Sequence, residues 1–387
     1  MGELVGFTLK EPAHQPLRPG QVADATRRMV DQSGPPDLSC PAPRGASPGS
    51  FPRKRANARR HRRVGSNRGA ESGSVTARSP LMHRIGIIGT GDIARKVYLP
   101  LLTGNPDVEI VALTSRTREK AVALARRHRL DVVVDDVGEV LQLKPDIVFI
   151  HASTSAHAEL VRTCLDAGSH VYVDKPLSES LDETHRLEQQ ATAQGLLLAV
   201  GFNRRFAPMV RAAVEAVPNP TMIISEKHRR SIRPDRPFGT VYNDLIHAID
   251  LACWAGAIPV DAVVQGAGIV DGDHLRAATA VLLASRCHAH VAMNRDAGDD
   301  AERLFIAGDA VSATVVNLDM VMVQESGTTT TRTFGSWDGI LLRRGFVGLV
   351  DHVLNSLGAP EQCLVSATAV LRTHRVADQI ARSLTGC

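Results

Sequence analysis

The stretch RIGIIGTGDIA at residues 84–94 decides the fold of the chain that follows it. Its apolar first half predicts a buried β-strand, and its second half is a G-x-G-x-x-A turn that opens a helix. The first glycine permits a tight turn, the second lets a pyrophosphate approach the backbone, and the alanine lets the helix pack on the strand. We therefore predict that a dinucleotide binds at this turn, which consists of Gly89, Thr90, Gly91, Asp92, Ile93 and Ala94.

Strands and helices alternate from this turn to Val200. Apolar runs with the length of a buried strand lie at residues 84–89, 108–114, 146–150, 170–173 and 196–200. Stretches of helical length separate them. The alternation predicts a doubly wound parallel sheet, which is an α/β Rossmann domain that we place at residues 83–203.

A different pattern begins after residue 203. A strand-like run at residues 221–231 and a helix at residues 243–254 precede a series of strand-like runs that no helices separate. Because consecutive strands without crossover helices pair antiparallel, we predict an α+β domain with a mostly antiparallel open sheet at residues 204–387. Helices at residues 345–357 and 366–384 end the chain.

The first 82 residues differ from the rest in composition. They are rich in Pro, Gly, Ser and Arg, and they hold 14 Lys+Arg against 6 Asp+Glu, so the net charge of +4 comes from this segment. Such a segment cannot bury enough apolar surface to offset its ordering entropy, and we predict that it is disordered. Its arginine cluster at residues 53–63 is a candidate nucleic-acid site but has no interleaved aromatic residues. Met82, directly before the first strand, is an alternative translation start.

Composition also argues against several classes of protein. No apolar run approaches the roughly 20 residues of a membrane-spanning helix. The six cysteines form no C-x-x-C pair, which argues against a zinc site or a disulfide framework and favours a reducing cytoplasm. We therefore expect a cytoplasmic protein that binds no metal and no membrane, and whose folded part binds no nucleic acid.

The end of the second strand indicates which dinucleotide binds. An NAD-preferring site offers an acid there to the ribose hydroxyls, whereas this chain has Ser115 and Arg116. The serine can hydrogen-bond a 2′-phosphate, and the arginine can pair with it and stack on the adenine. The pattern favours NADP(H); NAD(H) is the alternative if Arg116 is only a solvated charge.

Four motifs follow one another in residues 83–387: GIIGTGDIA, DKP at residues 174–176, GFNRRFAP at residues 201–208, and a helix that carries His247. With these motifs in this order the chain resembles the Gfo/Idh/MocA family of NAD(P)-dependent oxidoreductases. VDKPL, KHR and RRGFVG at residues 343–348 are most similar to its MviM-like virulence-factor branch.

The resemblance implies roles for individual residues. Lys175 would lie beside the substrate hydroxyl and the nicotinamide, in a turn with a cis Lys–Pro bond, and His247 would be the acid/base. The family's Glu-Lys-Pro begins with Asp174 here, and its aspartate four residues before the histidine is Asn243. An asparagine can hold a substrate hydroxyl or orient the ring, but it cannot stabilise an imidazolium as a carboxylate does. The adjacent Asp244 points about 100° away on an ideal helix.

The predicted site is the sum of these assignments. The spacing places three residues on one helix face, Asn243, His247 and Asp250. With Lys175, these three are the predicted catalytic residues. Besides the glycine turn, the predicted cofactor contacts are Ser115, Arg116, Ser153, His157, Asp174, Lys175 and Arg204. The predicted substrate contacts are Lys175, Arg204, Lys227, Arg229, Asn243, Asp244 and His247.

These observations predict an NAD(P)-dependent oxidoreductase that transfers a hydride between the nicotinamide and a secondary alcohol or carbonyl of a sugar, polyol or related metabolite. The alternative is a regulatory protein that binds NAD(P) without catalysis; Asn243 leaves it open, whereas Lys175 and His247 argue against it. The basic clusters at residues 227–230 and 343–344 suggest a carboxylate or phosphate on the small-molecule substrate. The resemblance implies a homo-oligomer, a dimer or tetramer, formed through the open face of the second sheet.

Overall fold

The computed structural model describes residues 82–232 and 235–385. The basic segment that we predict to be disordered lies outside the described residues, apart from Met82. Within the described ranges, no helix combines the length and the apolar character that crossing a membrane requires.

Five parallel strands form the first sheet, in the order β2-β1-β3-β4-β5. They are β1 His83–Ile88, β2 Val108–Thr114, β3 Ile147–Ile150, β4 His170–Val173 and β5 Leu198–Val200. The strands are buried along most of their length, as expected where crossover helices cover both faces of a parallel sheet. This sheet confirms the predicted Rossmann domain. The strand order reverses between β1 and β3, and such a switch point is where open α/β sheets bind ligands.

The helices of the first domain lie between these strands. They are α1 Leu99–Thr103, α2 Arg118–His128, α3 Val137–Gln142, α4 Thr154–Asp166 and α5 Leu181–Ala193. A π turn, Ala94–Tyr98, leads directly into α1. Side-chain caps start two of them, because Asp136 accepts a hydrogen bond from the N–H of Glu139 and Ser180 accepts one from Glu183. Helix α3 was not predicted, since its 6 residues are too few to show a helical period.

Eight strands form the second sheet, in the order β13-β12-β11-β10-β6-β9-β8-β7. They are β6 Met222–His228, β7 Val263–Asp271, β8 His274–Leu283, β9 His288–Asn294, β10 Ala301–Gly308, β11 Val311–Val316, β12 Met320–Glu325 and β13 Thr328–Thr333. Every neighbouring pair is antiparallel except β6 and β9, which run parallel. The prediction of a mostly antiparallel sheet is confirmed. Along β6, Ile223, Ser225 and Lys227 alternate into the buried face.

Several helices of the second domain pack on this face, and the last helix also contacts the first domain. They are α6 Pro208–Ala216, α7 Pro237–Thr240, α8 Ile246–Ala255, α9 Ile340–Arg343, α10 Phe346–Asn355 and α11 Ala367–Thr385; a π turn, Val241–Leu245, leads into α8. Helix α8 packs on β6 and β9, whereas α11 packs on β7 and also on α5 and β5 of the first domain. The N–H of Val200 donates to the carbonyl of Val365 (2.9 Å) just before α11. The end of the chain therefore joins the two domains.

Candidate active site

The loop after β1 and the ends of β2 and β3 surround a cavity of about 640 Å³. Its lining includes Gly89, Thr90 and Gly91. Gly89 has a φ of +99°, and a Cβ there would lie 2.6 Å from the carbonyl carbon of His151, so only glycine fits. The cavity lies at the switch point of the parallel sheet, where this fold places a dinucleotide. The residues present therefore fit the nicotinamide dinucleotide that the fold implies.

The end of β2 contributes polar side chains to this cavity. Ser115 accepts a hydrogen bond from Thr90 (Oγ1 to Oγ, 2.8 Å), which ties the glycine loop to β2. Arg116 is exposed and lines the cavity together with Lys120. A hydroxyl, a guanidinium and an ammonium are suitable partners for a phosphate.

The remaining predicted residues of the glycine loop and of the β3 end differ in whether they line the cavity. Ser153, directly before α4, lines the cavity. Asp92 does not, because its carboxylate is hydrogen-bonded to Lys96 one turn further along its own helix, which also lowers its pKa. Ala94 is fully buried behind the loop, and Ile93 is half-buried. Of these residues, only Ser153 faces the space where a cofactor fits.

The lysine motif forms a turn at the carboxyl end of β4. The Lys175–Pro176 bond is cis, which confirms what the resemblance implied. The Lys175 ammonium donates a hydrogen bond to the backbone oxygen of Asn243 (2.7 Å). This contact brings the edge of the first sheet against the helical segment that leads to His247.

The carboxylate of Asp174, directly before the lysine, is held by buried neighbours. The Nδ1 atom of His151, at the end of β3, lies 2.9 Å from its Oδ2 atom. The His151 side chain is itself buried and stacks on Tyr98, with ring centroids 4.2 Å apart. The Tyr98 hydroxyl is hydrogen-bonded to that of Tyr172, and burial raises the pKa of both tyrosines. Asp174, predicted to contact the cofactor, instead anchors the turn and does not line the cavity.

Two further histidines hold the backbone of the same turn. His157 in α4 is buried, with Nδ1 2.8 Å from the oxygen of Pro176 and Nε2 3.2 Å from that of Ala152. Burial lowers its pKa, so we place the single proton of the neutral ring on Nδ1, which makes the shorter contact. From the other side, Nε2 of His374 in α11 accepts a hydrogen bond from the N–H of Leu177 (3.1 Å). His157, predicted to bind the cofactor, is therefore buried under the turn instead.

His247 lies in α8, in surroundings of positive charge. Its Nδ1 atom is buried and has no hydrogen-bond partner in the described part of the chain. Burial lowers the pKa of the imidazole well below its usual value, and Arg204, Lys227 and Lys175 lower it further. The ring is therefore neutral near pH 7, and a polar ligand that reached Nδ1 would supply the partner that this atom lacks.

The positive charge near His247 comes from the basic residues of an ion-pair network. Lys227 and Glu302 lie directly opposite each other on β6 and β10 and form an ion pair of 2.9 Å. Arg204 donates to both oxygens of Glu302 (2.6 and 2.8 Å). Burial alone would raise the pKa of Glu302, but Arg204 and Lys227 hold it far below its usual range. Burial, together with the neighbouring Arg204, lowers the pKa of Lys227 to about 8. Arg204, predicted to contact cofactor and substrate, is thus bound to Glu302.

Asp244 is the second carboxylate of this network. It contacts Lys227 (3.2 Å), Arg229 (3.3 Å) and Arg295 (2.6 Å). The two arginines directly follow β6 and β9, and because these strands are parallel their carboxyl ends lie side by side. An ideal helix would turn Asp244 away from the histidine, but the π turn before α8 changes the helical register. Asp244 therefore belongs to the site.

Asn243 and Asp250 lie in different surroundings, so the prediction of one shared helix face is wrong. The Asn243 amide is 3.4 Å from the Glu179 carboxylate. Asp250 is only 1% exposed, and its oxygens are bound to Arg205 (2.5 and 2.9 Å) and to the Thr373 hydroxyl (2.9 Å). Asn243 lies within the π turn Val241–Leu245, whereas Asp250 lies in α8. Asp250, predicted to be catalytic, forms a structural ion pair in the core.

Comparisons with known proteins identify the architecture. A family model described as an oxidoreductase family with an NAD-binding Rossmann fold, GFO_IDH_MocA, matches residues 83–202. The oxidoreductase YceM of Salmonella typhimurium is 32% identical over 288 residues, which are 70% of this chain and 88% of that protein. The chain belongs to the Gfo/Idh/MocA family. It is therefore an oxidoreductase-family protein with an NAD(P)-binding fold.

Further relatives of this Gfo/Idh/MocA protein are dehydrogenases. The crystal structure of the dehydrogenase MviM from Clostridium difficile matches with a TM-score of 0.73 at 29% identity, covering 78% of this chain and 99% of the other. It supports the MviM-like branch of the family. A Thermotoga maritima protein named myo-inositol 2-dehydrogenase is 28% identical over 209 residues, 49% of this chain and 62% of its own.

The Gfo/Idh/MocA site also contains residues that the sequence prediction missed, namely His151, Arg295, Glu302 and His374. His151 could have been found, because it directly follows β3 at the edge where α/β sheets bind ligands. The other three come from remote elements and carry no local signal. In the described part of the chain, no group of three or more His, Cys, Asp or Glu side chains could hold a metal ion.

Proposed function

We propose that this protein is an NADP(H)-preferring oxidoreductase that interconverts a secondary alcohol and a carbonyl on a sugar, polyol or related small metabolite. One contact carries the proposal: the Lys175 ammonium, at the edge of the dinucleotide sheet, donates to the backbone oxygen of Asn243, in the segment that leads to His247. The ammonium is near enough to lower the pKa of His247, and we infer that one substrate hydroxyl reaches both groups. The relative named myo-inositol 2-dehydrogenase supports a polyol-like substrate.

Each of these side chains has one task in the proposed reaction. His247 takes the hydroxyl proton on its neutral imidazole during oxidation and returns it during reduction. Lys175 donates a hydrogen bond to the same oxygen and stabilises the negative charge that develops there. The nicotinamide, when bound, supplies or accepts the hydride. The histidines around residues 174–177 keep the ammonium at the reacting oxygen.

The end of β2 supports the preference for NADP(H). Ser115, Arg116 and Lys120 line the cavity at the position where NAD-preferring sites carry an acid. These three groups would donate hydrogen bonds to a 2′-phosphate, whereas a ribose hydroxyl is uncharged and would interact only weakly with the two cations.

A non-catalytic NAD(P)-binding sensor is the second candidate. The surroundings of His247 favour it, because no carboxylate in the described ranges contacts Nδ1 and the nearby cations oppose protonation of the ring. Such a protein would bind the cofactor and show no turnover. An enzyme would show both.

A titration of the protein with NADPH and NADH, followed by nicotinamide fluorescence, tests the proposal. We expect NADPH to bind more tightly, and Arg116→Ala to weaken NADPH about 10–100-fold while NADH changes little, since a charged hydrogen bond contributes about 1.5–3 kcal/mol. Arg127→Ala, an exposed arginine at the far end of α2, is the matched control. No binding of either nucleotide would refute the proposal. Turnover of polyols and sugar acids with bound NADP then separates enzyme from sensor.

We also propose a cytoplasmic homo-oligomer, a dimer or tetramer. The cysteines Cys164, Cys253, Cys287 and Cys363 are free thiols, which supports a reducing compartment. Val263, Ile269 and Val270 of β7 are exposed, and exposed apolar side chains on a sheet support self-association. Sedimentation velocity measures the subunit number.

A further inference from the structure

The network around His247 contains more positive than negative charge. In the described part of the chain four cations share two carboxylates, and the network consists of Arg204, Lys227, Arg229, Arg295, Asp244 and Glu302. The exposed Asp300 also acts on Arg229, but within the network itself the cations outnumber the carboxylates by two. Because buried charge is costly unless it is balanced, such a surplus indicates an anionic ligand.

One of the four cations is held more loosely than the others. Arg204, Lys227 and Arg295 are almost fully buried, with shortest ion-pair distances of 2.6, 2.9 and 2.6 Å. The side chain of Arg229 is 24% exposed, and its contacts with the two carboxylates are 3.3–3.5 Å long. The guanidinium of Arg229 can therefore bind a ligand without breaking a short ion pair.

Two buried polar atoms in the same region lack partners within the described residues. They are Nδ1 of His247 and Nε of Arg295. His247 lines a small pocket together with Lys227 and Glu302, and Arg295 is bound to Asp244. Buried polar atoms are almost always satisfied in a native protein, so these two point to a polar ligand or ordered water at this site.

Arg229 is also connected to the proposed reacting groups. It contacts Asp244, and the backbone oxygen of the preceding residue, Asn243, accepts the hydrogen bond from Lys175. An anionic group bound at Arg229 and a hydroxyl bound at Lys175 can therefore belong to one small molecule.

We propose that the substrate carries a carboxylate or phosphate group that binds the guanidinium of Arg229, so that the protein acts on a sugar acid or sugar phosphate rather than on a neutral polyol. This inference rests on the proposed oxidoreductase function. The bound anion has a second effect, because it offsets the positive surplus beside His247. The imidazole becomes a better proton acceptor once the substrate is in place.

Ligands with one carbon skeleton and different charge test the inference. The experiment is a calorimetric titration of the full chain, saturated with NADPH. The ligands are D-glucitol, D-gluconate and D-glucitol 6-phosphate, and inorganic phosphate serves as a probe without a carbon skeleton. We expect at least one anion to bind about tenfold or more tightly than D-glucitol, and added salt to weaken that binding. Preference between gluconate and glucitol 6-phosphate distinguishes a carboxylate from a phosphate.

Substitutions of Arg229 then test whether the anion binds at this residue. Arg229→Gln is expected to weaken the anion about 10–100-fold, and Arg229→Lys, which keeps the charge, to weaken it less. Arg230→Gln is the matched control, since Arg230 is the adjacent exposed arginine and pairs with Asp300 instead; anion affinity should stay unchanged. Melting temperatures show that each variant is folded.

The outcomes separate this inference from the proposed function. Equal affinity for charged and neutral ligands, no anion binding, or equal losses in Arg229→Gln and Arg230→Gln would overturn the inference while NADPH still binds. Absence of NADPH binding counts against the proposed function, and the comparison of the Arg229 and Arg230 variants with inorganic phosphate still decides the anion site.

Discussion

The imidazole of His374 accepts a hydrogen bond from the backbone N–H of Leu177, with 3.1 Å between Nε2 and N. Its other ring nitrogen lies 3.1 Å from the carbonyl of Val370. A neutral ring with its proton on Nδ1 satisfies both contacts. A side chain of the last helix therefore fixes the turn that carries the lysine of the first domain.

Removing this acceptor should reduce turnover. His374→Leu leaves the N–H of Leu177 without this acceptor, so the turn that positions the Lys175 ammonium is held less firmly. A misplacement of about 1 Å can lower kcat by about 100-fold, and we expect a loss of this order with unchanged NADPH affinity. His374→Gln keeps an acceptor near the position of Nε2 and should restore most of the turnover. A leucine variant with normal kcat, or a glutamine variant as impaired as leucine, would contradict this role.

The same histidine should make stability depend on pH. Burial lowers the pKa of His374 to about 4, whereas a solvated histidine in the unfolded chain titrates near 6.5. Between these values the unfolded state binds more protons, so stability falls as the pH decreases through this window. We expect His374 to contribute about 3 kcal/mol to the loss. Urea unfolding at pH 7 and pH 4.5 should show a smaller decrease for His374→Gln than for the unmodified protein, and equal decreases would disprove the assignment.

Glu302 should be essential for stability. Glu302→Gln removes the carboxylate that Arg204 and Lys227 share and leaves both buried cations without their main partner. We expect a loss of about 3–5 kcal/mol in the free energy of unfolding. Glu226→Gln is the matched control, because Glu226 is more exposed and its contacts with Arg303 and His228 are 3.9 and 4.0 Å long. The control should change stability by about 0.5 kcal/mol at most; similar losses in both variants would contradict the network.

His247 should be required for turnover and not for cofactor binding. His247→Ala removes the proposed proton acceptor, and general acid–base catalysis contributes roughly 10²–10⁴-fold. We expect kcat to fall by about this factor, measured with whichever sugar acid or polyol the unmodified protein oxidises with NADP, while the NADPH dissociation constant stays the same. A variant that retains normal turnover would remove His247 from the mechanism.

The sequence predicts the fold well because the relevant signals are local. The strands of the parallel sheet are short apolar runs, and the glycine loop carries its own conformational requirement at Gly89. The lysine turn and the helix with His247 also have local motifs. Each of these features lies within about a dozen residues, so it can be recognised without knowledge of the tertiary structure.

The charge network could not be predicted in the same way. Arg204 and Glu302 are 98 residues apart, and Lys227 and Glu302 are 75 apart. The pairing of Lys227 with Glu302 depends on the register between β6 and β10, and a shift of one strand by one residue would turn its side chain to the opposite face. The π turn before α8 likewise inserts a residue into a helix whose sequence looks regular. This turn brings Asp244 into the network, whereas Asp250 is structural because it pairs with Arg205, 45 residues away in the sequence.

The contact between Leu177 and His374 also affects how the protein is made. The two residues are 197 positions apart, and at roughly 5–20 residues per second a ribosome needs about 10–40 s to synthesise the segment between them. During that time the nascent first domain can form its sheet, but the turn with Lys175 lacks its contact with His374. We therefore expect a product that terminates before α11 to keep much of a nucleotide-binding fold but to position Lys175 less precisely.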